Sequence, residues 1–456
     1  MAGNLELKQL GTMVDGNEID TVLVVFVDLQ GRFMGKRVTG HFFMEEMTGD
    51  EGMHGCNYLL TVDVDMEPLP GYRYANWDLG YGDFHCVPDL STLRVIPWLE
   101  KTALVICDVF TEEGDVVDVS PRQILKRQIE RAKDAGYAFM CGSELEFFLF
   151  KDSFEEAGNK GYKNLVPHSA HIEDYHILQT TRDEYLIRQI RNGMDGAAVP
   201  VEFSKGEFGR GQQEINLRFA DVLEMADRHT IYKNGVKEIA DLNGRAVTFM
   251  AKHSMEEAGS SFHLHASIWD SEGKDTLMWD GDAPGNMSKT FRHFLGGWIA
   301  TGRELAWMYA PYVNSYKRYQ PESWAPTALA WGTDNRTCGY RLVGHGKSFR
   351  VESRIPGADA NPYLAFAATI AAGLHGIQNE IEPPDPYEGN AYEAEDVARV
   401  PWNIVEAMTE LENSKVAPEA FGEEVHYHLV NTAKQEWARS NQTITDWELQ
   451  RNFERI

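Results

Sequence analysis

Nothing in this chain offers a disulfide framework: its five cysteines, Cys56, Cys86, Cys107, Cys141 and Cys338, are odd in number, far apart and never in a CxxC pair. The same spacing excludes a thiolate zinc site, and the five read as reduced core thiols. An apolar run of the roughly 20 residues needed to cross a bilayer is missing, and the opening Met1-Ala-Gly-Asn-Leu-Glu6 lacks the basic-then-apolar order of a secretory signal. No membrane association and a cytoplasmic location are expected. Positive charge is scarce: 43 Lys and Arg face 70 Asp and Glu, for a net charge of -27. Such a field repels phosphate backbones and excludes a nucleic-acid partner, while it attracts small cations such as amines. There is no internal repeat and no low-complexity segment. Gly346-Lys347-Ser348 is not the end of a phosphate-binding loop, because Arg341 stands where the first glycine belongs.

What is present is ample core material. With 456 residues, 43% of them hydrophobic, the chain suffices for two or three domains. The β-branched run Thr21–Val27 ends at Asp28-Leu-Gln-Gly31 and reads as a strand and turn, with Lys36–Thr39 returning. From Tyr58 to Pro97 the chain is rich in Gly, Pro, Asp and aromatics, which predicts irregular loops and short strands; Ala103–Val109 is a further strand. Ser120-Pro121 starts a helix carrying Ile124, Leu125, Ile129 and Ala132 at helical spacing. A boundary therefore falls just before it, dividing the chain into a small β-rich domain, 1–115, and a large α+β domain, 116–456. In the latter, charged strands alternate with apolar helices such as Phe291–Met308 and Pro362–Ile377.

Four constellations in the larger domain carry chemistry. In Gly142-Ser-Glu144-Leu-Glu146-Phe-Phe-Leu-Phe150, strand alternation puts both carboxylates on one face. Two like charges on an apolar strand are costly to desolvate, and a hard cation bound by oxygen ligands relieves the cost. A solvated strand face is the bland alternative, opposed by the flanking phenylalanines. In Glu207-Phe-Gly-Arg-Gly-Gln-Gln-Glu214, Gly209 and Gly211 allow a tight reversal that brings two more glutamates together. His263, His265 and Ser267 share one face of Phe262–Trp269, and such a His-x-His pair can ligate a metal or hold a phosphate. Finally Arg318, Arg336, Arg341, Lys347, Arg350 and Arg354 are a basic cluster in an acidic chain, interrupted by Glu352. Guanidinium groups grip phosphates and carboxylates in forked fashion; solvated salt bridges are the alternative reading. Acidic metal ligands beside clustered cations are what activation of a carboxylate by ATP demands.

The ordered segments GSELEFFLF, EFGRGQQEINLRF, AGSSFHLHASIWD, NSYKRYQPESWAP, DNRTCGYRL and SFRVESRIPGADANPYLAFAA resemble the glutamine synthetase family. That resemblance implies a β-grasp-like N-terminal domain, a catalytic domain built around an antiparallel β bifunnel surrounded by helices, and a dodecamer of two hexameric rings with sites between subunits. It implies two or three Mg²⁺ or Mn²⁺ ions, one held by Glu146, Glu207 and Glu214 and another by Glu144, His263 and Glu352. Glutamate would be held by Arg318, Arg354 and Gly259, and ATP, a co-substrate, by Glu202, His265, Ser267, Arg341, Lys347 and Arg350. Arg318, Arg336 and Glu207 carry over as catalytic residues, serving a γ-glutamyl phosphate intermediate.

The largest departure lies in Pro321-Glu-Ser-Trp324-Ala-Pro326. Family members that use ammonia carry a glutamate where Trp324 stands, and an indole can neither bind ammonium nor take its proton. A flat apolar surface suits part of a larger amine. The Ser-Trp-Ala-Pro pattern, the opening Phe26–Thr39 and the ending Thr445–Ile456 resemble the γ-glutamylamide branch, whose ligases use polyamines, ethanolamine or alkylamines such as isopropylamine. The loop completing the ammonium pocket is not recognisable around His54-Gly-Cys-Asn57, and Ala258 replaces a common asparagine. The surroundings of Tyr392 differ from the adenylylated segment of bacterial relatives, so no such modification is expected. Three readings remain: a glutamate–organic amine ligase, a true glutamine synthetase, or a catalytically silent relative. For the ligase, the choice among polyamine, ethanolamine and small alkylamine stays open.

Overall fold

The computed structural model describes residues 3–49 and 52–456. The β-branched run forms strand β1 (Thr21–Val27) and turns at Asp28, whose Oδ1 accepts from the backbone N–H of Gln30 (3.0 Å) and Arg32 (2.8 Å). Gly31 takes φ +74° there, a conformation glycine adopts without strain. The chain returns as β2 (Phe33–Thr39), three residues earlier than the sequence suggests. Strands β3 (Met53–Cys56), β4 (Asp83–Pro88), β5 (Arg94–Val95) and β6 (Thr102–Phe110) complete a six-stranded sheet in the order β2-β1-β6-β4-β3, with β5 on β6. In this sheet, among the described residues, only β1 and β6 pair in parallel.

The second sheet has nine strands: β7 (Tyr137–Phe150), β8 (Val201–Gly206), β9 (Gln212–Leu217), β10 (Ala220–Asp221), β11 (Ala246–Thr248), β12 (Phe262–Asp270), β13 (Trp331–Thr333), β14 (Tyr340–Val343) and β15 (Arg350–Ser353). They run in the order β13-β14-β15-β12-β7-β9-β8, antiparallel except β13 with β14, while β10 and β11 both pair with β7. This is the α+β class the sequence implies.

Apolar helices back this sheet. The helix Pro121–Asp134 starts at the predicted Ser-Pro, and Pro362–Gln378 is buried along nearly its whole length. The expected helix Phe291–Met308 is instead Lys289–Ala300 followed by a 3₁₀ turn at Ala306–Met308. Apolar periodicity continues through the break, but Gly302 sits so close to Leu329 that a Cβ would lie 2.6 Å from its side chain. Tertiary packing turns the chain there.

Buried polar groups clamp the two sheets together. Arg122 donates to Asp89 (2.8 Å) and Asp108 (2.6 Å) of the small sheet's strands and loops and to Asp227 (3.1 Å) on the helix Val222–Leu242. Asn361 Nδ2 donates to the carbonyls of Asp28 and Leu29 (both 3.1 Å). Breaking one partner of such a network leaves an uncompensated buried charge, which costs several kcal/mol, on the order of 3–5.

Candidate active site

Strand register gathers the charged residues. Across β7, Glu146 faces Glu214 of β9 and Glu144 faces both Asn216 of β9 and His263 of β12. Outward from there, His265 faces Glu352 of β15, Glu352 faces Arg341 of β14, and Lys205 of β8 faces Glu214. Residues opposite one another in a ladder share a sheet face, so one face of six strands presents the whole set. Glu144, Glu146, Glu207, Glu214, His263 and Glu352 all line one cavity of about 430 Å³, joined by Gly259, Trp324, Arg336, Arg341 and Arg354. A neighbouring cavity of about 300 Å³ is lined by Glu202, His265, Ser267, Lys347 and Arg350. Glu144 and Asn216 line both.

Two groups of ligand atoms lie within 4.8 Å of one another: Glu144, His263 and Glu352, and Glu146, Glu214 and His263. Burial and the nearby Glu207 push the Glu146 carboxyl up to about 8, and burial with Glu144 and Glu207 raises Glu214 well above the usual carboxylate range. Against the cost of burial, the His265 and His263 rings hold Glu144 well below the usual carboxylate range, and Arg354 and His263 bring Glu352 down to about 2. His263 Nε2 is buried without a hydrogen-bond partner among the described residues. Crowded carboxylates of raised affinity for protons, beside an unsatisfied imidazole nitrogen, fit a divalent cation.

The structure departs from the expected groupings at three places. Glu207 is ion-paired with Lys205, which also lies 3.9 Å from Glu214; an ammonium neutralises Glu207 instead, and it is His263 that joins Glu146 and Glu214. Arg318 stands behind the wall, 1% exposed, donating to Ser261 Oγ and to the carbonyls of Ile355 and Arg354, each at 2.8 Å. Arg341 faces the acid-lined cavity rather than its neighbour, bonded to Asp334 and to Glu352 (2.8 Å). In the second cavity, Arg350 Nε donates to His265 Nδ1 (3.1 Å), leaving the ring proton on Nε2, 3.0 Å from Glu144.

The family profile described as the glutamine synthetase catalytic domain matches residues 118–452. The chain belongs to the glutamine synthetase family. It is 48% identical to Gamma-glutamylethanolamide synthetase GlnA4 of Streptomyces coelicolor, over 99% of this chain and 96% of that one. It is 36% identical to a glutamate–isopropylamine ligase of a Pseudomonas species (99% and 98% covered), and 30% identical to the glutamine synthetase of Thermotoga maritima (98% and 99%). Among solved structures, apo GmaS without ligand superimposes with a TM-score of 0.85 at 28% identity, covering 98% of this chain and 99% of that one.

In this member of the glutamine synthetase family, several cavity residues carry no motif signal. Lys205 could have been found from strand alternation, being two residues from Glu207 and opposite Glu214. Gln212 holds Glu146, donating from Nε2 to Oε2 (3.1 Å) and to the Gly259 carbonyl (2.9 Å). Ser261 N–H also donates to Glu146 (2.8 Å). Asp174 and Tyr175 reach the cavity from a loop whose sequence gives no hint of it, and Phe208 from within the Glu207–Glu214 segment.

Proposed function

We propose that the protein joins the γ-carboxylate of glutamate to an organic amine, driven by ATP, giving a γ-glutamylamide, ADP and phosphate. The observation that carries this reading is Trp324 at the wall of an otherwise intact acidic cavity, 51% exposed and edge-on to Phe208. An indole there contributes no charge for ammonium and offers contact to a carbon chain. The names of the ethanolamide- and isopropylamine-forming relatives point the same way.

In the proposed course a γ-carboxylate oxygen of glutamate takes the terminal phosphoryl group of ATP, and ADP leaves. The amine nitrogen then attacks the γ-carbonyl carbon, phosphate departs with the C–O bonding pair, and the nitrogen gives up its proton. Glu202, His265, Ser267, Lys347 and Arg350 form the nucleotide cavity. Arg354 and Gly259 face glutamate, while Arg318 buttresses Arg354 and Ser261 from behind. Arg336 and Arg341 answer charge developing on the transferring group. Glu207 Oε1, steadied by the Lys205 ammonium, is the acceptor for the amine proton. Glu144, His263 and Glu352, and Glu146, Glu214 and His263, would hold divalent ions, Mg²⁺ or Mn²⁺, two or three per site with Glu207 in reach. Such ions supply charge neutralisation for the polyphosphate when bound.

We place the N-terminal unit at 1–115 and the catalytic unit at 116–456, each with its own sheet. We propose a homo-oligomer of two hexameric rings in the cytoplasm. Its support is the exposed apolar end of the chain, Trp447, Phe453 and Ile456, which another copy would cover. Among the described residues no helix is long and apolar enough to cross a membrane. The Tyr392 hydroxyl is buried, which supports the absence of adenylylation.

Phosphate release with glutamate, ATP and a panel of ammonia, alkylamines, ethanolamine and polyamines tests the reading. Organic amines should outrun ammonia; ammonia exceeding every one of them would return the protein to the glutamine synthetases proper.

A further inference from the structure

One side of the acid-lined cavity is built from exposed rings: Phe203, Tyr175, Phe208 and Trp324 all line it, and each is at least 47% exposed. Single exposed aromatics are ordinary, but four around one opening mark a binding surface. The wall is held at a cost. Trp324 has φ +61° and Glu322 φ +54°, two non-glycine residues in the left-handed region, each costing on the order of 1 kcal/mol or more. That backbone places the indole with its centroid 6.0 Å from the Phe208 ring. Opposite, the Lys205 ammonium sits 4.7 Å over the Tyr175 ring.

Beside Tyr175, Asp174 also lines the cavity. The other carboxylates are already engaged: Glu207 by Lys205, Glu352 by Arg341 and Arg354, Glu146 by Gln212 and Ser261. Asp174 feels the charges of Glu207 and Lys205 but has neither a hydrogen bond nor an ion pair among the described residues, so its acceptor capacity is free. Asp174 is exposed, but the chain just before it is fastened. Its neighbour Glu173 is fully buried and accepts from Gln213 Nε2 (2.6 Å), next to Glu214 on β9. Gly206 lies against Glu173 so closely that a Cβ would fall 2.5 Å from the Glu173 Cβ. Ile172 forms a bridge with Arg210. The loop is thus fastened to the two strands that carry Lys205 and Glu214.

We infer that Asp174 is a specificity-determining residue that binds the far end of the amine, and that the substrate is a short primary amine bearing a second hydrogen-bond donor, a hydroxyl or an ammonium. This deepens the ligase reading and rests on it. The carbon chain lies along Trp324 and Phe208, its reacting nitrogen toward Glu207 and its other end on Asp174. An amine with only an alkyl tail leaves the carboxylate solvated and gains nothing from it.

The test compares kcat/KM for 2-aminoethanol and 1,4-diaminobutane with that for n-propylamine, using the full-length wild type and the variants Asp174→Ala and Asp174→Asn. Thermal shift by Mg²⁺ and ATP checks that each variant is folded. The wild type should favour the donor-bearing amines about tenfold or more, as a hydrogen bond to a charged group warrants. D174A should bring that ratio to about one, chiefly through KM. D174N should keep part of the preference for the hydroxyl and lose that for the diamine, which separates the two donors. A wild-type ratio near one, or a high ratio that survives in D174A, overturns the inference while leaving the ligase reading intact. Absence of glutamate-dependent turnover with every amine overturns both.

Discussion

Glu146 shows how far a single side chain can be argued. It is buried, faces Glu214, and keeps a proton more tightly than a free carboxyl because burial penalises its charged form and Glu207 is near. Replacing it with alanine removes a carboxyl held by Gln212 and Ser261 rather than an apolar core contact, so the fold and the oligomer should persist. Turnover should fall by roughly two orders of magnitude or more, since even residues that only orient metal ligands cost 10–100-fold. Near-normal rates from an assembled E146A would remove it from the site. Trp324 carries the complementary prediction. Trp324→Glu should raise the ammonia-to-alkylamine ratio of kcat/KM in the same phosphate-release assay. An unchanged ratio would mean that other groups set the amine pocket. Both residues were legible in the sequence because each breaks a local pattern, an acid within an apolar strand and an indole within a charged motif. Asp174 and Lys205 break none, and their roles follow from where their neighbours are fastened.

At the scale of elements, antiparallel register does most of the work. Because the side-chain period of a strand is two, six well-placed pairings carry acids and bases from six strands to one face. The sequence shows which residues share a strand face but not which strands are neighbours. A helix end tells the same story: Ser120-Pro121 announces its start from local chemistry alone, whereas the stop at Ala300 answers to Leu329, a partner 27 or more residues away in the chain. The long helix Glu423–Asn441 offers a pH test. Its His428 donates from Nε2 to the Leu60 carbonyl (3.0 Å) against Tyr72, and burial lowers its pKa from 6.5 to about 4. The fold favours the neutral ring, so its contribution is complete above about pH 6.5 and is lost as pH falls from there toward 4. The loss is at most about 3 kcal/mol. His428→Gln should start less stable or equal, yet melt with a shallower pH dependence across that window. Parallel melting curves for the two proteins would show that His428 titrates normally in the fold.

For the whole molecule, the two adjoining cavities that share Glu144 make ligand binding a property of the folded sheet. Mg²⁺ with ATP at a hundred times the dissociation constant should therefore raise stability by about 2.7 kcal/mol. A melting temperature that ignores both would favour a catalytically silent relative. The sequence by itself determined the family, the α+β class, the chemical types at the site and the altered amine position, because these rest on residue identity and on strand or helix periodicity. The tertiary structure alone decided that Lys205 takes Glu207, that Arg318 lies behind the wall, and that Asp174 and Trp324 line one cavity. Those facts depend on which distant segments are brought into contact, and Coulomb and packing energies act over a few ångströms of space whatever the separation along the chain.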